Sequence, residues 1–298
     1  MREKADEQVL RIAMWSGPRN ISTAMMRAWE NRSDTVVWDE PLYGHYLHVT
    51  GYPHPGAEQI MADQGKDWRP VVERCIGPVP GGKRVFFQKQ MTHHLLPNIS
   101  RDWLGKVSHC FLIRDPRKVI ASYRERIAEI TLEDLGFPQQ LEIFEYVVAQ
   151  AGEIPPVLDS RDVLQNPQGM LRALCDHLNI PFQTSMLTWP KGSRKTDGVW
   201  DKHWYDAVIN STEFTPYREK VVSLTANART GRNRRAGRTS LSNAIREEIA
   251  AVICGSPAVS LEQTCGEKRK KRKTSKNVDT HVSTSASDGW CLSTIPYL

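Results

Sequence analysis

Five short apolar runs recur along this chain, separated by stretches with helical periodicity, and that alternation constrains the fold more than any other feature. The runs are residues 9–15 (VLRIAMW), 35–38 (TVVW), 84–88 (RVFFQ), 109–113 (HCFLI) and 156–159 (PVLD). They are shorter than an ordinary helix, and most are rich in Val, Ile or Phe, so they read as buried strands. Helices are expected at 22–29, near 97–104, and at 117–126, 139–151 and 167–178. The last places Met170, Leu171, Leu174, Cys175 and Leu178 on one side. Strands alternating with helices imply an α/β fold, a three-layer sandwich around a central, mostly parallel sheet. Residues 42–82, rich in Gly, Pro, His and Tyr, read as loops and short helices that wall a pocket.

Charge divides the chain into two parts. Residues 226–298 hold 13 Lys+Arg against 6 Asp+Glu, leaving 27 against 28 in residues 1–225. The expected organisation is a near-neutral globular domain over 1–225 and a disordered, low-complexity basic tail over 226–298. The body offers no electrostatic reason to bind nucleic acid. In the tail, residues 268–273 (KRKKRK) could serve as a nuclear-localisation or polyanion patch, or be a solvated charge run. No run of about 20 apolar residues occurs, so no membrane span is expected. The N-terminus, MREKADEQ, resembles neither a signal nor a transit peptide. The six cysteines form no CxxC pair and no zinc spacing, and Cys110 and Cys175 read as core. A reduced, cytoplasmic location with no metal site follows as the expectation.

The chemistry concentrates where strands end. Between the first strand and its helix lies Ser16-Gly17-Pro18-Arg19-Asn20-Ile21-Ser22-Thr23. A tight turn into a helix start gathers unpaired N–H groups, and Arg19, Ser22 and Thr23 add a forked cation and hydroxyls. That set suits a terminal phosphate or sulfate; an ordinary joint with a surface Arg is the alternative. The nucleoside-triphosphatase pattern G-x-x-x-x-G-K-[ST] is absent. At the end of the fourth strand, Arg114-Asp115-Pro116 is followed on the next helix by Ser122, which together could hold a second phosphate. Alternatively, Arg114 pairs with Asp115 or Asp162. Glu40 closes the second strand and is a candidate general base, or a partner of Arg19. After the third strand come Lys89 and the pair His93-His94, with His93 the second candidate base. Trp189, Trp200 and Trp204 lie near His203 and Tyr205, where packing or adenine stacking are both open.

Taken together, the strand–loop–helix carrying Arg19 and the later R-D-P-x-x-x-x-x-S pattern, here Arg114-Asp115-Pro116 with Ser122, resemble the P-loop sulfotransferases. Those enzymes use 3′-phosphoadenosine 5′-phosphosulfate (PAPS). The stretches SGPRN, DEP-LYGHY, KQMTHH and GVWDKHWYDAV look like those of sulfotransferase-like proteins of bacteria and plants. The resemblance implies that Ser16, Gly17, Arg19, Asn20, Ser22 and Thr23 hold the 5′-phosphosulfate, and Arg114 and Ser122 the 3′-phosphate. It also implies Glu40 or His93 as base, with Lys89 on the leaving oxygen. Arg194 and Lys195, in a loose match to the family's R-K-G-x-x-G loop, would join the 3′-phosphate site. Many members carry Lys in the first loop where this chain has Arg19, which stabilises charge without donating a proton. The implied reaction moves a sulfuryl group to a hydroxyl or amine of a small-molecule or carbohydrate acceptor, without metal. The rivals are a nucleotide kinase or hydrolase and a degenerate nucleotide-binding module.

Overall fold

A computed structural model describes residues 9–125 and 130–216. The expected tail and its 268–273 run lie outside these residues. Five strands, β1 (Leu10–Ser16), β2 (Thr35–Asp39), β3 (Val85–Met91), β4 (Ser108–Ile113) and β5 (Val157–Asp159), form one sheet. Their order is β2-β3-β1-β4-β5 and every pairing is parallel. The helices are α1 (Ser22–Glu30), α2 (Tyr43–Thr50), α3 (Ala57–Gln64), α4 (Trp68–Ile76), α5 (Pro116–Tyr123), α6 (Phe137–Ala151), α7 (Ser160–Gln165) and α8 (Pro167–His177). Two single turns follow, α9 (Asp201–Trp204) and α10 (Asp206–Ile209).

The period of two along each strand sorts side chains between the sheet's faces. In β1, Ile12 and Met14 join one core with Met25, Met26 and Trp29 of α1 and Leu171, Leu174 and Cys175 of α8. Ala13 and Trp15 join the opposite core with Val71, Val72 and Cys75 of α4 and Ile143 and Val147 of α6. Both faces are thus covered, which is why the strands read as near-continuous apolar runs rather than as alternating ones. A third cluster, Tyr43, Tyr46, Leu47, Ile60, Trp200 and Tyr205, fastens α2 and α3 to the segment around α9.

The strand order places the functional edge. β1 lies between β3 and β4, so the chain leaves it on one side towards β2 and β3 and later crosses to β4 and β5. A crevice opens where those crossovers diverge, at the C-terminal ends of the strands. Arg19, Glu40, the turn Thr92–His94 and Arg114 follow the ends of β1, β2, β3 and β4.

Three expectations change. β3 runs to Met91, past the expected end at Gln88, because its polar residues are buried with partners: Gln88 Nε2 donates to the Cys75 carbonyl at 2.7 Å and Lys89 meets carboxylates described below. The helix expected near 97–104 is a 3-10 turn over Asp102–Lys106, preceded by a bend in which Ser100 Oγ donates to Asp102 at 2.7 Å. The helix after β4 ends at Tyr123, short of the expected residue 126, which is not described. No described helix is long and apolar enough to cross a membrane.

Candidate active site

The loop from β1 to α1 is shaped by close approach and by strain. A Cβ on Gly17 would sit 2.5 Å from the Leu135 carbonyl oxygen, so the turn requires glycine. Arg19 (φ 62°) and Ile21 (φ 58°) both adopt the left-handed region, and so does Glu40 (φ 39°) after β2. Such conformations cost ~1–3 kcal/mol each, and a β-branched Ile is a true outlier there. All three residues line one cavity of about 320 Å³ at the strand ends. Ile21 precedes α1, and no side chain caps the helix start. Ser22, Thr23 and Ala24 of this first turn line the cavity, and a helix start carries N–H groups without intrahelical partners.

Two tethers hold this loop against the end of β4. Asn20 Nδ2 donates to the Leu112 carbonyl at 2.9 Å, and Arg114 Nη1 donates to the Arg19 carbonyl. Arg19 Nε in turn donates to Ser122 Oγ at 3.0 Å. The two motifs are thus one unit: Arg19, Asn20, Ser22, Thr23 and Arg114 line the cavity, and Ser122 stands behind Arg19 on α5. Asp115, offered as a partner of Arg114, instead pairs with Arg117 at 2.8 Å. Ser16 and Gly17 lie beneath the lining; Ser16 is fully buried, with Oγ 3.8 Å from Met91 Sδ.

Arg194 and Lys195 are not brought here. Arg194 Nη1 lies 3.1 Å from Glu30 Oε2 and Nη2 donates to Asn31 Oδ1 at 3.2 Å, at the other end of α1. The same loop is anchored by buried Arg27, which lies 2.6 Å from Asp197. Nine helical residues separate this point from the α1 N-terminus by about 12 Å, too far for one side chain to bridge. The expected role of Arg194 and Lys195 at the 3′-phosphate is therefore not supported by their placement; Lys195 is exposed on the same loop.

Beside the loop lies a buried charge network. Lys89 Nζ donates to Asp39 Oδ1 at 2.9 Å, Glu40 Oε1 at 2.5 Å and Tyr205 Oη at 2.7 Å. Tyr205 Oη donates to Asp39 Oδ2 at 2.6 Å and accepts from Trp200 Nε1 at 3.1 Å. An ammonium has three N–H donors, and here all three are engaged by protein oxygens. Lys89 therefore lines the cavity with no donor left for a leaving oxygen, contrary to the role the resemblance implied. Glu40 pairs with Lys89, not with Arg19 as the alternative had it. Burial raises the Glu40 pKa above the ordinary carboxylate value, and Asp39 adds to this, while Lys89 opposes it. One ammonium shared by two carboxylates leaves a negative charge in excess, so the net direction is upward. Burial alone would lower Lys89, but the two carboxylates carry it above its ordinary value.

The opposite wall is aromatic and imidazole. His93 and His94 are buried, and each Nδ1 lacks a hydrogen-bond partner among the described residues. Burial lowers His93 to about 3 and His94 well below its ordinary value, so both are neutral near pH 7. Tyr43 stacks on His94 with centroids 4.5 Å apart and its hydroxyl meets His54 Nδ1 at 2.7 Å. Tyr43, His54 and Tyr123, to which the sequence assigns no role, line the cavity together with His94 and with Trp204 and Tyr205 of the aromatic segment. The expected tryptophan cluster divides: Trp200 and Tyr205 share the third core cluster, Trp204 reaches the cavity, and Trp189 packs on Phe214 in the first core. Among the described residues no cluster of three or more His, Cys, Asp or Glu could hold a metal ion.

The sulfotransferase domain family matches residues 10–227. Branched-chain-amino-acid aminotransferase-like proteins 2 and 1 of Arabidopsis thaliana are each 34% identical over 204 residues, 68% of this chain. The chain spans only 36% of the length of these relatives. Among solved structures, the sulfotransferase domain from the curacin biosynthetic pathway has a TM-score of 0.41 at 17% identity, over 64% of this chain and 81% of that one. The sulfotransferase domain from the Synechococcus PCC 7002 olefin synthase has a TM-score of 0.43 at 15% identity, over 82% of this chain and 98% of that one.

Proposed function

This chain belongs to the sulfotransferase domain family, and we propose that it transfers a sulfuryl group from PAPS to a hydroxyl of a small-molecule or carbohydrate acceptor. One observation carries the reading. The uncapped N-terminus of α1, Arg19 and Arg114 line a single cavity at the strand ends, and a general-base candidate lines it too. The donor set suits the group: two guanidinium groups, two hydroxyl side chains and a helix start are the chemistry that binds a polyanion.

In this reading Arg19, Ser22, Thr23 and the first-turn N–H groups hold the phosphosulfate end. Arg114 holds the 3′-phosphate, and Ser122 fixes the side chain of Arg19. Charge building on the moving sulfuryl oxygens meets guanidinium already in place, which lowers the barrier without reorganisation. Glu40 takes the acceptor proton as the new O–S bond forms and the S–O bond to the 5′-phosphate breaks, releasing 3′-phosphoadenosine 5′-phosphate. Glu40 suits this role better than His93. A general base works best with a pKa near the working pH; burial moves Glu40 towards neutrality and moves His93 away, to about 3.

Calorimetric titration with 3′-phosphoadenosine 5′-phosphate tests the reading, with 5′-AMP and Mg²⁺-ATP as controls. The expected result is selective binding that Arg114→Ala weakens about tenfold or more, the loss of a charge-assisted hydrogen bond. No binding, or preference for Mg²⁺-ATP, would overturn it in favour of the nucleotide kinase or degenerate-module readings.

A further inference from the structure

We propose that Asp39 and Tyr205 are positioning residues that set the charge and orientation of Glu40 through Lys89. The inference rests on the reading of Glu40 as the base, and it goes beyond that reading in assigning roles to Asp39, Lys89 and Tyr205. The geometry is closed. Lys89 enters from β3, Asp39 and Glu40 end β2, and Tyr205 arrives from the turn between α9 and α10, over 160 residues further along the chain. Tyr205 Oη accepts from Lys89 and Trp200 and donates to Asp39 Oδ2, which also accepts from Gly198 N at 3.2 Å. The Glu40 backbone is fixed too, its N–H donating to the Lys89 carbonyl at 2.9 Å.

This arrangement divides one cation between two carboxylates. Whatever strengthens the hold of Asp39 on Lys89 weakens the hold of Glu40, and the reverse. The Tyr205 hydroxyl tips the division towards Glu40, because its hydrogen bond neutralises part of the Asp39 charge. It also stands 3.5 Å from Glu40 Oε1. The groups facing Glu40 are Asp39 of β2, Lys89 of β3, Tyr43 of α2, Tyr123 of α5 and Tyr205. Burial holds the three tyrosines above their ordinary range. They stay neutral through the carboxylate range, so among the described residues Asp39 and Lys89 are the charged groups packed directly on Glu40, with Arg19, Arg114 and Glu213 lining the same cavity.

Two substitutions therefore move Glu40 in opposite directions. Tyr205→Phe leaves Asp39 more negative and draws Lys89 towards it, so the Glu40 titration rises. Asp39→Asn removes the competing charge and gives Lys89 to Glu40 alone, so the titration falls. Shifts of about half to one pH unit each way are expected from the loss of one hydrogen bond or one neighbouring charge.

The test is a carbon-13 NMR titration of glutamate carboxyls in the full chain, with Glu40→Gln assigning the signal. The acid limb of kcat on a hydroxyl acceptor is followed in parallel. Opposite shifts in the two variants, with the wild type between them, are the expected result. General loss of packing would lower kcat without moving the two titrations apart. Unmoved titrations, or shifts of the same sign, would overturn the proposal. The carboxyl titration needs neither donor nor acceptor. If 3′-phosphoadenosine 5′-phosphate fails to bind while the titrations separate, the sulfotransferase reading falls and the charge-sharing arrangement stands. If it binds and the titrations do not separate, this proposal alone falls.

Discussion

Lys89→Met is the most informative single change for stability. The Lys89 side chain is 2% exposed, and those of Asp39 and Glu40 are 2% and 11% exposed. A methionine fills much of the same volume but leaves two adjacent buried carboxylates with no cation. Breaking a buried ion pair in this way costs ~3–5 kcal/mol, because the remaining charge stays desolvated. For a domain of this size, 1 kcal/mol corresponds to about 2–4 °C in Tm, so a fall of roughly 6–20 °C is expected. The deficit also depends on pH. Without Lys89, the folded-state pKa of Glu40, already raised by burial, rises further above its unfolded value. The folded state then binds more protons than the unfolded state, and its stability falls as pH rises through that interval. The gap between wild type and variant should be smaller near pH 4, where Glu40 is protonated in the folded variant and about half protonated in the unfolded chain, and widest near pH 8. Urea denaturation followed by tryptophan fluorescence at pH 4.5 and pH 8 measures both quantities. A deficit below about 1 kcal/mol at pH 8, or one that does not change with pH, would refute the reasoning.

Three further outcomes are expected. Gly17→Ala places a methyl group 2.5 Å from the Leu135 carbonyl oxygen, a backbone atom that cannot rotate away. It should lower stability by ~1–3 kcal/mol in the same denaturation experiment and weaken binding of 3′-phosphoadenosine 5′-phosphate by disturbing the loop. Glu40→Gln should lower kcat by about a hundredfold or more, as loss of a general base does. His93→Gln should leave the shape of the pH–rate profile between pH 5 and 8 unchanged, since burial holds His93 at about 3 and it does not titrate there. A profile that loses an ionisation in His93→Gln would exchange the two assignments.

The candidate residues that the structure brings to one cavity share one physical property: they lie next to a strand end. Arg19, Glu40 and Arg114 each follow a short apolar run that could be recognised locally, and a parallel sheet puts all such ends on one edge. Ser122 was reachable because helical periodicity carries it back over the loop, where it meets Arg19. The misreadings have a common cause as well. β3 was cut short at Gln88 because Lys89 and Gln90 are polar, and their burial depends on partners from β2, α4 and the turn after α9. Arg194 carried the right charge in a suggestive motif, but Glu30 and Asn31 hold it at the far end of α1. Residues 42–82 were read as loops and short helices, and they contain α2, α3 and α4; the aromatic wall they help build could not be traced from composition.

From its residues alone this chain declares a parallel α/β sheet, a tight turn into the start of α1, and Arg114 with Ser122 after β4. Each of these depends on interactions within a few residues: the period of two in a strand, the free N–H groups of a helix start, the return of a helix face every three to four residues. The sharing of Lys89 between Asp39 and Glu40, the arrival of Tyr205 and the neutrality of His93 depend instead on contacts across 49 to 166 residues and on the exclusion of water. Burial and pairing belong to the folded environment, and no local pattern encodes them. That environment turns Lys89 from a free cation into the holder of the carboxylate beside it.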